Sequence, residues 1–383
     1  MEVYLDNSAT TRPSAAVVSA MTQVLTEGWH NPSALYRPAM EAEKRVAAAR
    51  DICLKAACAE GQRLIFTSGG TEADNIAVCG YLRGVRKPCR VLMLSVEHPA
   101  ILACAQEAER LGHRVTEIPV DHRGVVDLAA LEAMLEKDVR LICVMQVNNE
   151  SGAIQPLAEV VRLRNAHCPQ AAIHVDGVQG FLRTPFDFNR LGVDSYAFSG
   201  HKIHASKGVG GLILRRGHKV SPIVFGGGQE DGYRSGTENT PGIIGLGEAV
   251  RTYPVDGPAE MAQRKRRLWE GIRAAVPGAM LNGPALEDSA AAPHILNVSL
   301  PPVRSQTMLF ALEGDGIYVS AGSACASRKQ KVSGVLTAMG LTTAMADCAL
   351  RMSLCPGITE DEIDYVVQRI GAHYALLAKY TRR

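Results

Sequence analysis

Short apolar runs of strand length alternate with longer segments of helical period through the first two thirds of the chain. The runs are RLIFT (63–67), VLMLS (91–95), RLICVMQV (140–147), AAIHVD (171–176), DSYAFS (194–199) and GGLILR (210–215). Between several of them lie stretches such as AILACAQEAERLG (100–112) and LAALEAMLEK (128–137), whose apolar residues return with the helical period. That alternation predicts βαβ units, hence an α/β domain with a mainly parallel sheet and helices on both faces.

From about Pro254 the texture changes. A charged amphipathic segment, AEMAQRKRRLWEGIRAA (259–275), leads to HILNVSLP (294–301), GIYVS (316–320), ALRMSL (349–354) and a last helix from Thr359. Spaced strands with helices between them predict a smaller α+β domain. The expected division is a large domain over 14–255 and a small one built from 1–13 and 256–383. No internal repeat and no low-complexity tract is present.

The 383 residues exceed what one core usually serves, and 46% hydrophobic against 21% charged residues is an ordinary globular balance. Lys plus Arg number 41 against 39 for Asp plus Glu, so no strong field recruits nucleic acid or an anionic membrane. A small-molecule partner is expected. Ten cysteines include no CxxC pair, which favours scattered reduced thiols over a disulfide framework. The start, MEVYLDNSATT, lacks a basic and then apolar leader, and no apolar run reaches the roughly 18 residues of a membrane span. The expectation is a cytoplasmic protein.

In an open parallel sheet ligands bind beyond the carboxyl ends of the strands, so the residues just after each run matter most. RLIFT is followed by Ser68-Gly-Gly-Thr-Glu72, a turn or a phosphate nest at a helix N-terminus. VLMLS is followed by Val96-Glu-His98, RLICVMQV by Asn148-Asn149-Glu150, and AAIHV by Asp176-Gly-Val-Gln179. DSYAFS is followed by Gly200-His201-Lys202. Each residue has a bland reading: a surface lysine, a hydrogen-bonded histidine, a capping asparagine. Together they supply an amine, a carboxylate, an imidazole and an anion nest, the parts that pyridoxal phosphate requires. His201 and His204 lack a third ligand in sequence, so no metal site is expected.

The stretches YLDNSATT (4–11), TSGGTEADN (67–75), EHPA (97–100), VNNESG (147–152), HVDGVQ (174–179), SGHKI (199–203), GGGQEDGYRSGTEN (226–239), SAGSACAS (320–327) and LRMSL (350–354) resemble, in order and spacing, the cysteine desulfurases of the NifS/IscS group. These are class V members of the fold-type I pyridoxal phosphate enzymes, and the resemblance covers nearly the whole chain. It implies that Lys202 bonds to the cofactor and shuttles protons, His98 stacks on its ring, Asp176 pairs with the ring nitrogen, and Gln179 bonds its phenolic oxygen. Gly70, Thr71, Ser199 and His201 would hold the phosphate, with Thr237 of the second subunit of a homodimer. Asn149 and Arg351 would bind the substrate carboxylate, the latter through a fork that matches it in bidentate fashion.

The resemblance also makes Cys325 of SAGSACAS the nucleophile that takes sulfur from L-cysteine, leaves L-alanine, and passes its persulfide to an iron–sulfur scaffold or sulfur-carrier protein. Its neighbours are alanine, serine and glycine, unlike the large apolar residues around a structural thiol. His98 would relay the substrate thiol proton. Two departures stand out: His204-Ala-Ser-Lys207 replaces the usual Tyr-Gly-Pro-Lys, making Lys207 a rival amine, and Arg328-Lys-Gln-Lys331 is unusually basic. Rival readings are a class V aminotransferase or other pyridoxal phosphate lyase with no use for Cys325, and a non-enzymatic scaffold.

Overall fold

The computed structural model describes residues 1–321 and 333–380. Cys325 and the basic stretch 328–331 lie outside the described residues. The strands, in chain order, are β1 (Val3–Tyr4), β2 (Arg63–Thr67), β3 (Arg90–Leu94), β4 (Arg114–Ile118), β5 (Val139–Cys143) and β6 (Ala172–Asp176). They continue with β7 (Ser195–Ser199), β8 (Gly210–Leu214), β9 (Met280–Leu281), β10 (Ile295–Ser299), β11 (Ile317–Tyr318) and β12 (Ala349–Ser353).

The large sheet runs β2-β8-β7-β6-β5-β3-β4, parallel except at β8, which is antiparallel to both β7 and β2. It is the mainly parallel sheet of an α/β fold. Strands β3, β6, β7 and β8 are buried at every position, which is why they read as continuous apolar runs rather than alternating ones. β4, RVTEI, is only partly buried at the sheet edge, and its mixed pattern hid it from the sequence reading. The run 140–147 is a strand only over Val139–Cys143. Beyond it the backbone still bonds to β6, from Val144 N to His174 O and from Gln146 N to Asp176 O, which carries Asn148 and Asn149 to the sheet rim.

The stretch 100–112 divides into helices Pro99–Leu102 and Cys104–Arg110. The last helix, Glu360–Leu377, starts as expected: Thr359 and Glu362 form a reciprocal capping box that satisfies two orphan N–H donors.

A second sheet orders β12-β10-β9, antiparallel, and β1 pairs with β11 in parallel. Its core unites Val3 and Leu5 with Leu268 and Ile272 of helix Gly257–Ala275, Leu296, Leu350, and Ile363 and Val366 of the last helix. The central-sheet core is separate, and it includes Val335, Leu336 and Met339 from the stretch that follows residue 332. Among the described residues no helix is long and apolar enough to cross a membrane.

Candidate functional site

The carboxyl ends of β3, β6 and β7 open into a cavity of about 740 Å³. Gly70, Thr71, His98, Asn149, Asp176, Gln179, Ser199, His201, Lys202 and Arg351 all line it. Thr237 does not; it is exposed in this chain.

The anion nest forms where β2 turns into helix Gly70–Gly84. Gly69 has φ +154°, and a Cβ on Gly70 would stand 2.6 Å from Val178 Cγ2, so only glycine permits this close packing. The first N–H groups of the helix are free for an anion. Glu72 braces the turn by accepting the Ser68 N–H and, at 3.0 Å, Arg234 Nε. Half-burial opposes ionisation of Glu72, yet these bonds hold it below its ordinary value. Arg234 thereby ties the stretch containing Thr237 to the nest.

Lys202 closes the short 3₁₀ turn Gly200–Lys202 directly after β7. Its Nζ donates to Ser8 O at 2.5 Å and Ala9 O at 2.7 Å. Burial first, then the Arg183 and Arg351 charges, lower it to about 7, so a large fraction is neutral amine near neutral pH. Lys207, the rival amine, is exposed and lines no part of the cavity, whereas Lys202 lines it.

Asp176 ends β6, where its Oδ1 accepts the Val178 N–H at 2.9 Å. Burial, and next Asp74, push it up to about 6. His98 caps helix Pro99–Leu102: Nδ1 accepts the Ala100 N–H at 3.1 Å, which leaves the ring proton on Nε2. Burial lowers its pKa. Burial, then Lys202, hold His201 down to about 4, and its Nδ1 lies 3.1 Å from Thr10 Oγ1.

Arg351 lies on β12 with 1% exposure. Nη2 meets Asp6 Oδ1 at 2.7 Å, Nη1 donates to Asn149 O at 2.9 Å, and the buried Nε has no partner among the described residues. The residues flanking 322–332 also reach this area. Ser320 exchanges backbone hydrogen bonds with Arg351, and Ser333 Oγ donates to Glu150 Oε2 at 2.5 Å while capping helix Gly334–Ala338.

Several contributors escaped the sequence reading. The segment Asp6–Thr11 crosses the site, giving acceptors to Lys202, Gln179 Nε2 at 3.0 Å and Arg351. Buried Arg183 donates to Gln179 Oε1 at 2.8 Å and to the Lys202 carbonyl. For the N-terminal segment a signal existed, the polar run DNSATT directly after a strand; for Arg183 there was none.

The donor set fits a phosphorylated aromatic aldehyde: a glycine cradle at a helix N-terminus, a buried amine, and a buried carboxylate facing a ring-sized cavity. Among the described residues no group of three or more His, Cys, Asp or Glu side chains is placed to hold a metal ion.

Comparison with known proteins matches this chain, over residues 3–366, to the family model for class-V aminotransferases. The cysteine desulfurase IscS of Clostridium botulinum (strain Hall) is 38% identical over 373 residues, covering 96% of this chain and 93% of that protein. Among solved structures, a NifS-like protein superposes with a TM-score of 0.91 at 34% identity, covering 98% of this chain and 100% of the other. SspA in complex with cysteine superposes with a TM-score of 0.82 at 29% identity, covering 92% and 99%.

Proposed function

Because this chain belongs to the class-V aminotransferase family, on its NifS/IscS cysteine desulfurase branch, we propose that its cavity binds pyridoxal phosphate and L-cysteine and releases L-alanine. The observation that carries the reading is the convergence of Lys202, Asp176, His98 and Arg351 on one cavity beside a glycine-rich anion nest. The family is pyridoxal phosphate dependent. When bound, the cofactor supplies an electron-withdrawing ring that stabilises negative charge at the substrate α-carbon.

Gly70, Thr71, Ser199 and His201 hold the phosphate, joined by Thr237 of a second copy in a homodimer. Asp176 holds a negative charge toward the ring nitrogen, His98 covers the ring face, and Gln179 donates to the phenolic oxygen. Arg351 and Asn149 orient the substrate by its carboxylate. Lys202 Nζ, neutral over much of the neutral range, accepts the α-proton and returns it to product. His98 Nε2 relays the proton of the substrate thiol.

Cys325 attacks the substrate sulfur. The carbon–sulfur bond breaks as the sulfur–sulfur bond forms, so L-cysteine and the Cys325 thiol give L-alanine and a Cys325 persulfide with no external oxidant. The persulfide then passes to a protein acceptor in iron–sulfur assembly or tRNA thiolation, in the cytoplasm.

The test is release of alanine and sulfide from L-cysteine under reducing conditions, wild type against Cys325→Ala. The proposal expects near-equal yields from wild type and neither product from the variant. A wild type that turns over nothing, or a variant that works equally well, defeats it.

A further inference from the structure

Beside Asp176 lies a chain of three buried side chains, of which Asp74 also lines the cavity. Asp74, just past the first turn of helix Gly70–Gly84, places Oδ1 3.1 Å from His174 Nε2, and His174 Nδ1 lies 2.8 Å from Ser195 Oγ. Their exposures are 1%, 0% and 2%. The connectivity is that of a hydrolytic triad, but Ser195 sits within β7 and does not line the cavity, so it is no nucleophile.

The two anchors of this chain carry opposite ends of the site. Helix Gly70–Gly84 begins with the anion nest, while β6 ends with Asp176, two residues beyond His174 and therefore on the same face of the strand. The Asp74–His174 bond thus joins the element that holds a phosphate to the strand that presents a carboxylate to a ring.

Charge gives the chain a direction. Asp74, Glu97 and Asp176 are buried neighbours; Glu97 Oε1 accepts the Met145 N–H, and its Oε2 has no partner among the described residues. Other titratable groups close by are His98 after β3, Cys104 on its helix, Cys143 on β5, Tyr196 on β7 and His218 after β8. Among the described residues no Lys or Arg pairs with Asp74 or Glu97. Burial pushes both acids well above their ordinary values, Glu97 further through Asp176 and Asp74, and burial holds His174 down to about 4. In the arrangement proposed below, a protonated Asp74 donates its O–H to His174 Nε2. The imidazole proton then sits on Nδ1 and is donated to Ser195 Oγ.

We propose that Asp74 and Ser195, acting through His174, are positioning residues that lock the anion nest to the ring-facing carboxylate, with Asp74 as hydrogen-bond donor. The inference rests on the cavity taking pyridoxal phosphate. Neutralising Asp74 in this way also leaves Asp176 as the carboxylate free to pair with a ring N–H.

The test uses cofactor-loaded protein and three readouts: the pyridoxal phosphate dissociation constant, the pH midpoint of the bound cofactor's absorbance change, and the apo-protein melting temperature. Asp74→Ala and Ser195→Ala are expected to weaken cofactor binding about tenfold, the scale of one buried hydrogen bond, and to move the midpoint by about half a pH unit. Asp74→Asn, whose amide still donates, is expected to rescue both to within about twofold. Alanine variants that lower the melting temperature but leave affinity and midpoint unchanged show a structural role and overturn the proposal. Asp74→Asn that behaves as Asp74→Ala overturns Asp74 as donor. If Asp74→Ala does not fold, Ser195→Ala decides by the same readouts. A wild type that binds no cofactor defeats the functional reading instead, which separates the two failures.

Discussion

Arg351 Nη2 lies 2.7 Å from Asp6 Oδ1, so the guanidinium proposed to take a substrate carboxylate is held by an acid 345 residues away in sequence. With Nη1 committed to Asn149 O as well, its plane is set before any substrate arrives. Lysine keeps the charge but loses the fork and cannot satisfy both anchors. Arg351→Lys should lower kcat/KM for L-cysteine by about tenfold to a hundredfold, the range of one charge-assisted hydrogen bond, mainly through KM. Steady-state kinetics checks this, with cofactor absorbance as the control that should not change.

Lys202 makes the pH prediction. Its pKa is lowered from 10.5 to about 7, by burial first and then Arg183 and Arg351. The neutral amine is the reactive form, so covalent attachment of pyridoxal phosphate to apo-protein should accelerate as pH rises through about 7 and then level off. Between about 7 and 10.5 the unfolded chain binds more protons at this group than the folded one, so its contribution makes apo-protein stability rise with pH across that window. Lys202→Met should remove that slope. Attachment rates that climb only near pH 10 would contradict the environment described.

Gly70 tests the anion nest. The 2.6 Å approach predicted for an alanine Cβ to Val178 Cγ2 must be relieved by shifting either the helix start or the segment after Asp176. Gly70→Ala should weaken cofactor binding about tenfold, from overpacking strain of about 1–3 kcal/mol. Adding Val178→Ala should recover most of the loss. A dissociation constant unchanged in Gly70→Ala would show that the close approach is not required.

Thr359 separates folding from the site. Its capping box closes the start of the last helix, and neither Thr359 nor Glu362 lines the cavity. Thr359→Ala should destabilise the protein by about 1 kcal/mol in urea unfolding and leave KM for L-cysteine unchanged. A changed KM would show that the last helix is coupled to the site.

Part of the cavity was legible because several of its groups stand at or just beyond the end of a buried strand. Lys202 after β7, Asp176 at the end of β6, His98 after β3 and the glycines after β2 could be picked out by position alone. What was misplaced shares a cause. Edge strand β4 is half solvated, so it lacks the apolar run; the helix over 100–112 breaks at Ala103, where the period alone gives no warning. β1 is two residues long, too short for any pattern, although its partner β11 lies within the expected strand GIYVS.

The sequence by itself determined the α/β class, the order of the strand-end residues and the family they resemble, because burial on both faces of a parallel sheet writes itself as local composition. Only the tertiary structure decided the partners. Lys202 rests on Ser8 across 194 positions, Arg351 on Asp6, His174 on Asp74 across 100, and Arg183 under Gln179. Hydrophobic periodicity records whether a side chain is buried; which polar atom satisfies it there is settled by chain segments packed together from far apart.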